Sequence, residues 1–249
     1  MIKTIQFRKS DHDLFLIFWK QLEQKFSRFK NVVVENTNDE ILLKFEIQSS
    51  NAKTYSKLIK LWLCDSMVVY YKEKYLLSHM KIAGLDNLPF KLIVKAITIF
   101  DKSQDVASLY DKIETGTTDI NVHSFYVFKM GELRQRWQEI CELFSNNIRL
   151  MGHSEVLIEL IRYLILVTES ERRVVEIDIE ENDICIKDEN GTLLVEPIRL
   201  NEEGGSINVI LHLISFAPKT IAIKFDKEKN PKLADFVENL FAGKVIYNT

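Results

Sequence analysis

At 249 residues and 46% hydrophobic content, the chain is long enough for one large domain or two small ones, and it can bury a core without disulfides or metal. Its 33 basic and 36 acidic residues leave a formal charge of -3, too balanced a field to draw nucleic acid or an anionic membrane strongly. The three cysteines, Cys64, Cys141 and Cys185, are odd in number and far apart, which fits small buried hydrophobes in a reducing cytoplasm rather than a secreted framework.

The first residues, MIKTIQFRKSDHD, lack the apolar run and small-residue cleavage site of a secretory signal. No window reaches the roughly 18 to 20 apolar residues that span a bilayer, because Lys91 and Lys95, or Glu159 and Arg162, interrupt the greasiest stretches. A soluble, cytoplasmic protein is the expectation. Eight Gly and four Pro predict regular elements joined by short loops.

In chain order, residues 2–8 alternate enough for a strand. Ser10 and Asp13 offer a cap for a helix carrying Leu14, Phe18, Leu22 and Phe26. Residues 32–35 and 41–47 flank the turn-rich Asn36, Thr37, Asn38 and Asp39, which predicts a hairpin and an opening β-α-β-β unit. Ser49, Ser50 and Asn51 then cap a long helix over 52–81, with Tyr55, Leu58, Ile59, Trp62, Met67, Tyr70 and Leu77 at helical spacing and Gly84 as its stop. Asp86, Asn87 and Pro89 precede a helix over 90–100, and Ser103 starts a shorter one ending before Gly116.

Residues 122–130 read as an extended segment feeding a charged helix that ends near Arg149. After an Asn/Gly break, residues 156–167 are apolar on almost every face, which predicts a helix enclosed by other elements as a central post. Alternation over 174–179 and 183–187, around Glu180, Glu181 and Asn182, marks a second hairpin, and 193–195 a third strand after Asn190 and Gly191. Gly204, Gly205 and Ser206 lead into a helix through Phe216, closed by Pro218. Residues 220–225, a helix from Pro231 and residues 244–247 form a β-α-β unit with parallel strands and a right-handed crossover. The fold class is α+β: an N-terminal β-α-β-β unit, a helical middle and a C-terminal mixed β region with a β-α-β unit, divided at 1–117 and 118–249 or joined as a single domain.

Three stretches carry a resemblance. DINVHSFYVFKMGEL at 119–133 runs into a helix with Trp137 and Ile140; ELIRYL stands at 159–164; and LISFAPKTI stands at 213–221. In order and spacing they resemble the YtxC-like family of sporulation-associated proteins, with its Ile-Asn approach to a long helix, its Leu-Leu-Arg-Tyr-Phe helix and its Ser-Leu-Ala-Pro-Lys signature. The stretch SNNIRLMG at 145–152 departs from the continuous acidic helix of the family, and the N-terminal third carries no matching motif. The resemblance implies a bacterial, cytoplasmic, sporulation-associated protein and transfers no catalytic residue.

Candidate chemistry is sparse. His12, His79, His123, His153 and His212 form no metal-ligand spacing, so no metal or cofactor is expected. Cys64 and His79 would stand about four turns apart on one helix, too far for a nucleophile and base to touch. Gly204 to Ser206 lack a following lysine and sit beside Glu202 and Glu203, so they read as a loop and N-cap, not a phosphate cradle. Glu132, Arg134, Arg136, Glu139 and Glu142 read as a solvated face. Glu159 and Arg162, inside the apolar helix, must reach a partner or the surface. Tyr70, Tyr71 and Tyr75, with Lys72 and Lys74, read as the aromatic cluster most apt to break the surface and bind a protein partner.

No convergent nucleophile, base and oxyanion donor appear, so the sequence leans towards a non-catalytic protein-interaction or regulatory factor, with a protein partner, no nucleic acid and no membrane span. The alternative is a small-ligand-binding protein or enzyme whose site assembles from distant residues, with His123, Arg162 and Glu159 as its polar groups.

Overall fold

A computed structural model of the chain describes residues 2–23, 30–46, 52–80, 88–113, 119–146, 154–170, 172–200 and 205–247. The architecture is α+β. It sorts into two compact units, each gathered from two stretches: unit 1 from Met1–Met80 and Lys102–Leu143, unit 2 from Lys81–Asp101 and Phe144–Thr249. Phe26, Ser49 to Asn51, Gly84, Arg149 and Gly204, to which the sequence assigns helix content, caps or breaks, lie outside the described residues.

Unit 1 opens with β1 (Ile2–Arg8), a single 3-10 turn (Lys9–Asp11) and α1 (His12–Glu23), followed by the hairpin β2 (Lys30–Asn36) and β3 (Glu40–Glu46). The strands lie in the order β2-β3-β1-β4, where β4 is Asp119–Asn121 and pairs parallel with β1. The β1–β3 register sets Ile5 opposite Leu43 and Phe7 opposite Ile41, so alternate residues of both strands fall on one buried face. Onto that face α1 lays Leu14, Phe15, Phe18 and Leu22, with Phe7 edge-on to Phe15 at 5.6 Å between centroids. Each such fully buried side chain contributes about 1.5–3 kcal/mol. The long α2 (Ala52–His79) packs on α1 and on α4 (Lys102–Lys112). The unit closes with α5 (Val122–Lys129) and α6 (Gly131–Asn146), whose Trp137 is fully buried.

Unit 2 holds α3 (Leu88–Phe100), α7 (Ser154–Val167), α8 (Gly205–Phe216) and α9 (Pro231–Leu240) with a second sheet. Its strands are β5 (Arg172–Glu180), β6 (Asp183–Asp188), β7 (Ile198–Arg199), β8 (Pro218–Ile223) and β9 (Val245–Tyr247), in the order β7-β6-β5-β8-β9. The β5–β6 turn places Glu181 at φ 53 and Asn182 at φ 88, the left-handed geometry that matches strand twist in a two-residue hairpin. β8 pairs parallel with both β5 and β9, as a β-α-β unit requires. Gly205 opens α8 so close to β7 that an added Cβ would lie 2.6 Å from the Arg199 carbonyl oxygen.

Three expectations fail. Residues 122–130 are not extended: β4 stops at Asn121, whose side chain accepts a hydrogen bond from the Ser124 amide at 2.8 Å and so starts helix α5. The β-prone Val122, Phe125, Tyr126, Val127 and Phe128 suggested a strand, but the cap decides the local backbone. The helix around Leu160 is not sealed: Leu157, Ile161, Leu164 and Ile165 are buried, Leu160 is half-buried, and Tyr163 and Leu166 are 59% and 67% exposed. An apolar face lowers the free energy only where a partner covers it, and α3 packs along one side of α7. Residues 193–195 form no strand: Leu193 makes an isolated bridge to Lys187, and the third strand is β7. There Asp188 accepts hydrogen bonds from the Asn190 and Thr192 amides, a turn that diverts the chain before Leu193.

Candidate functional site

Charge in unit 1 gathers around three aspartates, Asp105, Asp65 and Asp11. Asp105 on α4 is fully buried, and so is Lys72 of α2, 3.2 Å from it. The Trp137 indole N–H donates to Asp105 Oδ2 at 2.9 Å, and Arg136 reaches Oδ1 at 2.9 Å. This knot ties α2, α4 and α6 together. A second tie joins Lys102 to Asp65 at 2.9 Å, with Gln21 of α1 donating to the same carboxylate at 3.0 Å.

Asp11 is held differently. The 3-10 turn after β1 carries it under α2, where it is 4% exposed. The Tyr70 and Tyr71 hydroxyls donate to it at 3.1 and 3.2 Å, and Lys74 Nζ lies 3.4 Å away. Lys74 also donates to the Tyr70 hydroxyl at 3.1 Å, and His123 Nδ1 of α5 stands 3.9 Å from Asp11. Tyr126, one turn on from His123, stacks on Tyr71 with centroids 4.0 Å apart. Three segments far apart in sequence therefore converge.

Above Asp11 opens a cleft of about 460 Å³. Lys74, His79, His123 and Arg134 supply its basic groups, with Asp11 as the carboxylate and the hydroxyls of Ser10, Ser78, Tyr71, Tyr75 and Tyr126 around them. Arg134 is anchored by donation from Nη2 to the Val127 carbonyl at 2.9 Å, and its guanidinium lies over Tyr126. Its Nε is buried with no hydrogen-bond partner among the described residues. Tyr75 stacks on His79 at 4.0 Å and donates to Gln138 Oε1 at 2.9 Å. A separate groove between α2 and α4, lined by Leu58, Leu61, Val106, Ala107 and Tyr110, is mostly apolar.

The tyrosines around Asp11 hold their protons tightly. Burial, and then the negative charge of Asp11, hold the Tyr71 phenol far above the usual tyrosine value. Burial likewise raises Tyr70, Tyr75 and Tyr126. The hydrogen bond to Tyr70 raises Lys74, which stays a cation. The Tyr70–Lys74 pair, one helical turn apart, thus holds a neutral phenol beside an ammonium instead of a phenolate base.

The tyrosines expected as a surface patch are arranged otherwise. Tyr71 and Lys72 are buried, Lys72 in the Asp105 knot, while Tyr70 and Tyr75 are half-buried and Lys74 alone of the five is exposed. A side chain whose polar end meets a buried carboxylate is drawn inward, and composition does not reveal that carboxylate. Asp11 and Arg134 form the site with them, a role the sequence reading did not assign; Asp11 lies about 60 positions from its tyrosine donors, and no local pattern marks it. His123 belongs to unit 1, whereas Glu159 and Arg162 pair with each other in unit 2, where Arg162 Nε donates to the Asn239 carbonyl of α9 at 2.6 Å.

All three cysteines are buried thiols outside any disulfide, and burial pushes Cys64 up to about 12 and Cys141 up to about 11, so they pack as hydrophobes. Among the described residues no group of three His, Cys, Asp or Glu side chains is placed to hold a metal, and no helix is long and apolar enough to cross a membrane.

Among known families, the model of the YtxC-like family matches residues 73–246, a stretch that includes all three motifs at 119–133, 159–164 and 213–221. The match begins within α2, so it spans Lys74, Tyr75, His79, His123, Tyr126 and Arg134 of the cleft but not Ser10, Asp11 or Tyr71. No curated protein and no solved structure matches the chain.

Proposed function

The chain belongs to the YtxC-like family, and on that premise we propose that it is a sporulation-associated regulatory factor of the bacterial cytoplasm that works by binding rather than catalysis, with the Asp11 cleft as its recognition site. The observation that carries this reading is the state of the groups around Asp11: donors and acceptors are paired and the tyrosines are held neutral, yet an open cleft with cationic walls lies directly above them. Such an arrangement suits holding and orienting a ligand. Tyr71 and Tyr75 line it, and Tyr70 holds Asp11 through its hydroxyl. Balanced overall charge supports a site for a small ligand over one for nucleic acid, and a protein partner is the natural receiver of a ligand-dependent state.

The test is the urea unfolding midpoint of the full chain, with and without the small-molecule fraction of cells entering sporulation. Ligand that binds only the folded state raises the midpoint. The wild-type midpoint rises and that of the Lys74→Gln, Arg134→Gln double variant does not; a wild-type midpoint that the fraction leaves unmoved contradicts the reading.

A further inference from the structure

Two fixed cations, Lys74 and Arg134, face the cleft against a single carboxylate, Asp11, whose oxygens already accept from Tyr70 and Tyr71 and lie beside Lys74. Two imidazoles, His79 and His123, and the hydroxyls of Ser10 and Ser78 add further groups able to donate. The Arg134 Nε, buried without an acceptor, leaves a guanidinium only partly satisfied by the Val127 carbonyl. A donor-rich, net cationic cleft selects an anion, and paired Lys and Arg suit a doubly charged one.

The rings say what the rest of the ligand is not. Tyr71 covers one face of Tyr126 and the Arg134 guanidinium lies over the same ring. Tyr75 stacks on His79 and leans on Trp137. Tyr71, Tyr75 and Tyr126 each spend a ring face on a neighbour within the protein, so charge and hydrogen bonds carry most of the recognition.

From this we infer that the cleft binds a compact phosphomonoester, a small polar molecule whose phosphate sits between Lys74 and Arg134. The inference rests on the reading of the cleft as the recognition site and names its ligand class.

Titration of the full chain at low salt with glycerol 3-phosphate, inorganic phosphate, AMP and malate, followed by calorimetry and by the imidazole C–H resonances, tests it. Glycerol 3-phosphate or inorganic phosphate binds saturably and shifts His79 and His123 but not His212 of unit 2; malate binds more weakly, and AMP binds no tighter than glycerol 3-phosphate. Arg134→Gln and Lys74→Gln each weaken binding by about tenfold or more, as loss of a charge-assisted hydrogen bond should, while Lys20→Gln, on an exposed position of α1, does not. Lys74 is exposed, so its variant keeps the test sound even where Arg134→Gln disturbs Tyr126. No saturable binding of either phosphate, binding that both variants retain, tighter binding of malate, or AMP bound about tenfold more tightly overturns the ligand class. Treating the sporulating-cell fraction with phosphatase separates the two claims: a midpoint shift that survives phosphatase in the wild type, and is absent in Lys74→Gln, removes the phosphate and keeps the recognition site.

Discussion

Asp105 and Asp11 both sit in unit 1 against helix α2, each facing an α2 lysine and donors from rings. Asp105 is fully buried among Lys72, Arg136 and Trp137, and its charge joins three helices. Asp11 is almost as deeply buried, but Lys74 is 58% exposed and His123 stands just out of hydrogen-bonding reach, so its surroundings continue into a cleft. The same residue types thus give a structural knot or a receptive site, depending on whether the partners are exhausted within the fold. Lys72 and Lys74, two positions apart on one helix, point to opposite outcomes because α-helical geometry turns them to different faces.

The sharpest way to break the comparison is to remove the enclosed charge. Asp105→Ala leaves Lys72 buried without its carboxylate, and a broken buried pair costs about 3–5 kcal/mol; the urea midpoint falls accordingly, and a loss below about 1 kcal/mol would show that Asp105 is not the knot described. Asp11→Asn retains one acceptor for the tyrosine hydroxyls but turns an amide towards the other donors, and costs less, about 1–3 kcal/mol. Its second signature is optical: with the negative charge gone, the alkaline titration of Tyr71 moves down towards the ordinary tyrosine range, and an unmoved titration contradicts the Asp11–Tyr71 contact.

The pH dependence follows the same geometry. Tyr71 binds its proton more tightly folded than unfolded, so the stability this provides is complete below the ordinary tyrosine value of 10.0 and is lost as pH climbs above it. Cys64 acts in the same sense, from its ordinary 9.0 up to about 12. The urea midpoint therefore falls on the alkaline side, and Tyr71→Phe reduces the fall above pH 10 without abolishing it; an equal fall in wild type and variant would remove Tyr71 from the account. The smallest effect belongs to Lys74→Gln. An exposed ion pair is worth roughly 0–1 kcal/mol, so the midpoint changes little although the cleft loses one of its two cations.

Much of the fold was legible because its signals are local. The two hairpins show period-two apolar spacing around turn residues that tolerate left-handed backbone, as at Asn182. The β-α-β end follows from Pro231 between two apolar runs. Residues 122–130 were misread because β-branched and aromatic residues outvoted one polar side chain; Asn121 ahead of Ser124 was a usable cap signal. The helix around Leu160 misled for another reason: hydrophobicity says which residues gain by burial, not how many partners arrive to bury them. The motifs at 119–133, 159–164 and 213–221 gave the family, because their order and spacing survive where each alone is common. The candidate site was legible only as a heap of tyrosines and lysines. Its centre, Asp11, meets them across about 60 residues, and such a meeting is a property of β1, the 3-10 turn and α2 packed together.

The claim that the Asp11 cleft acts as a recognition site is tested most directly in the organism that encodes the protein. Spore counts are compared for a deletion strain complemented by wild type, Lys74→Gln or Lys20→Gln, with the abundance of each protein measured. A deficit confined to Lys74→Gln at wild-type abundance is the predicted result. Full spore yield from Lys74→Gln would contradict it.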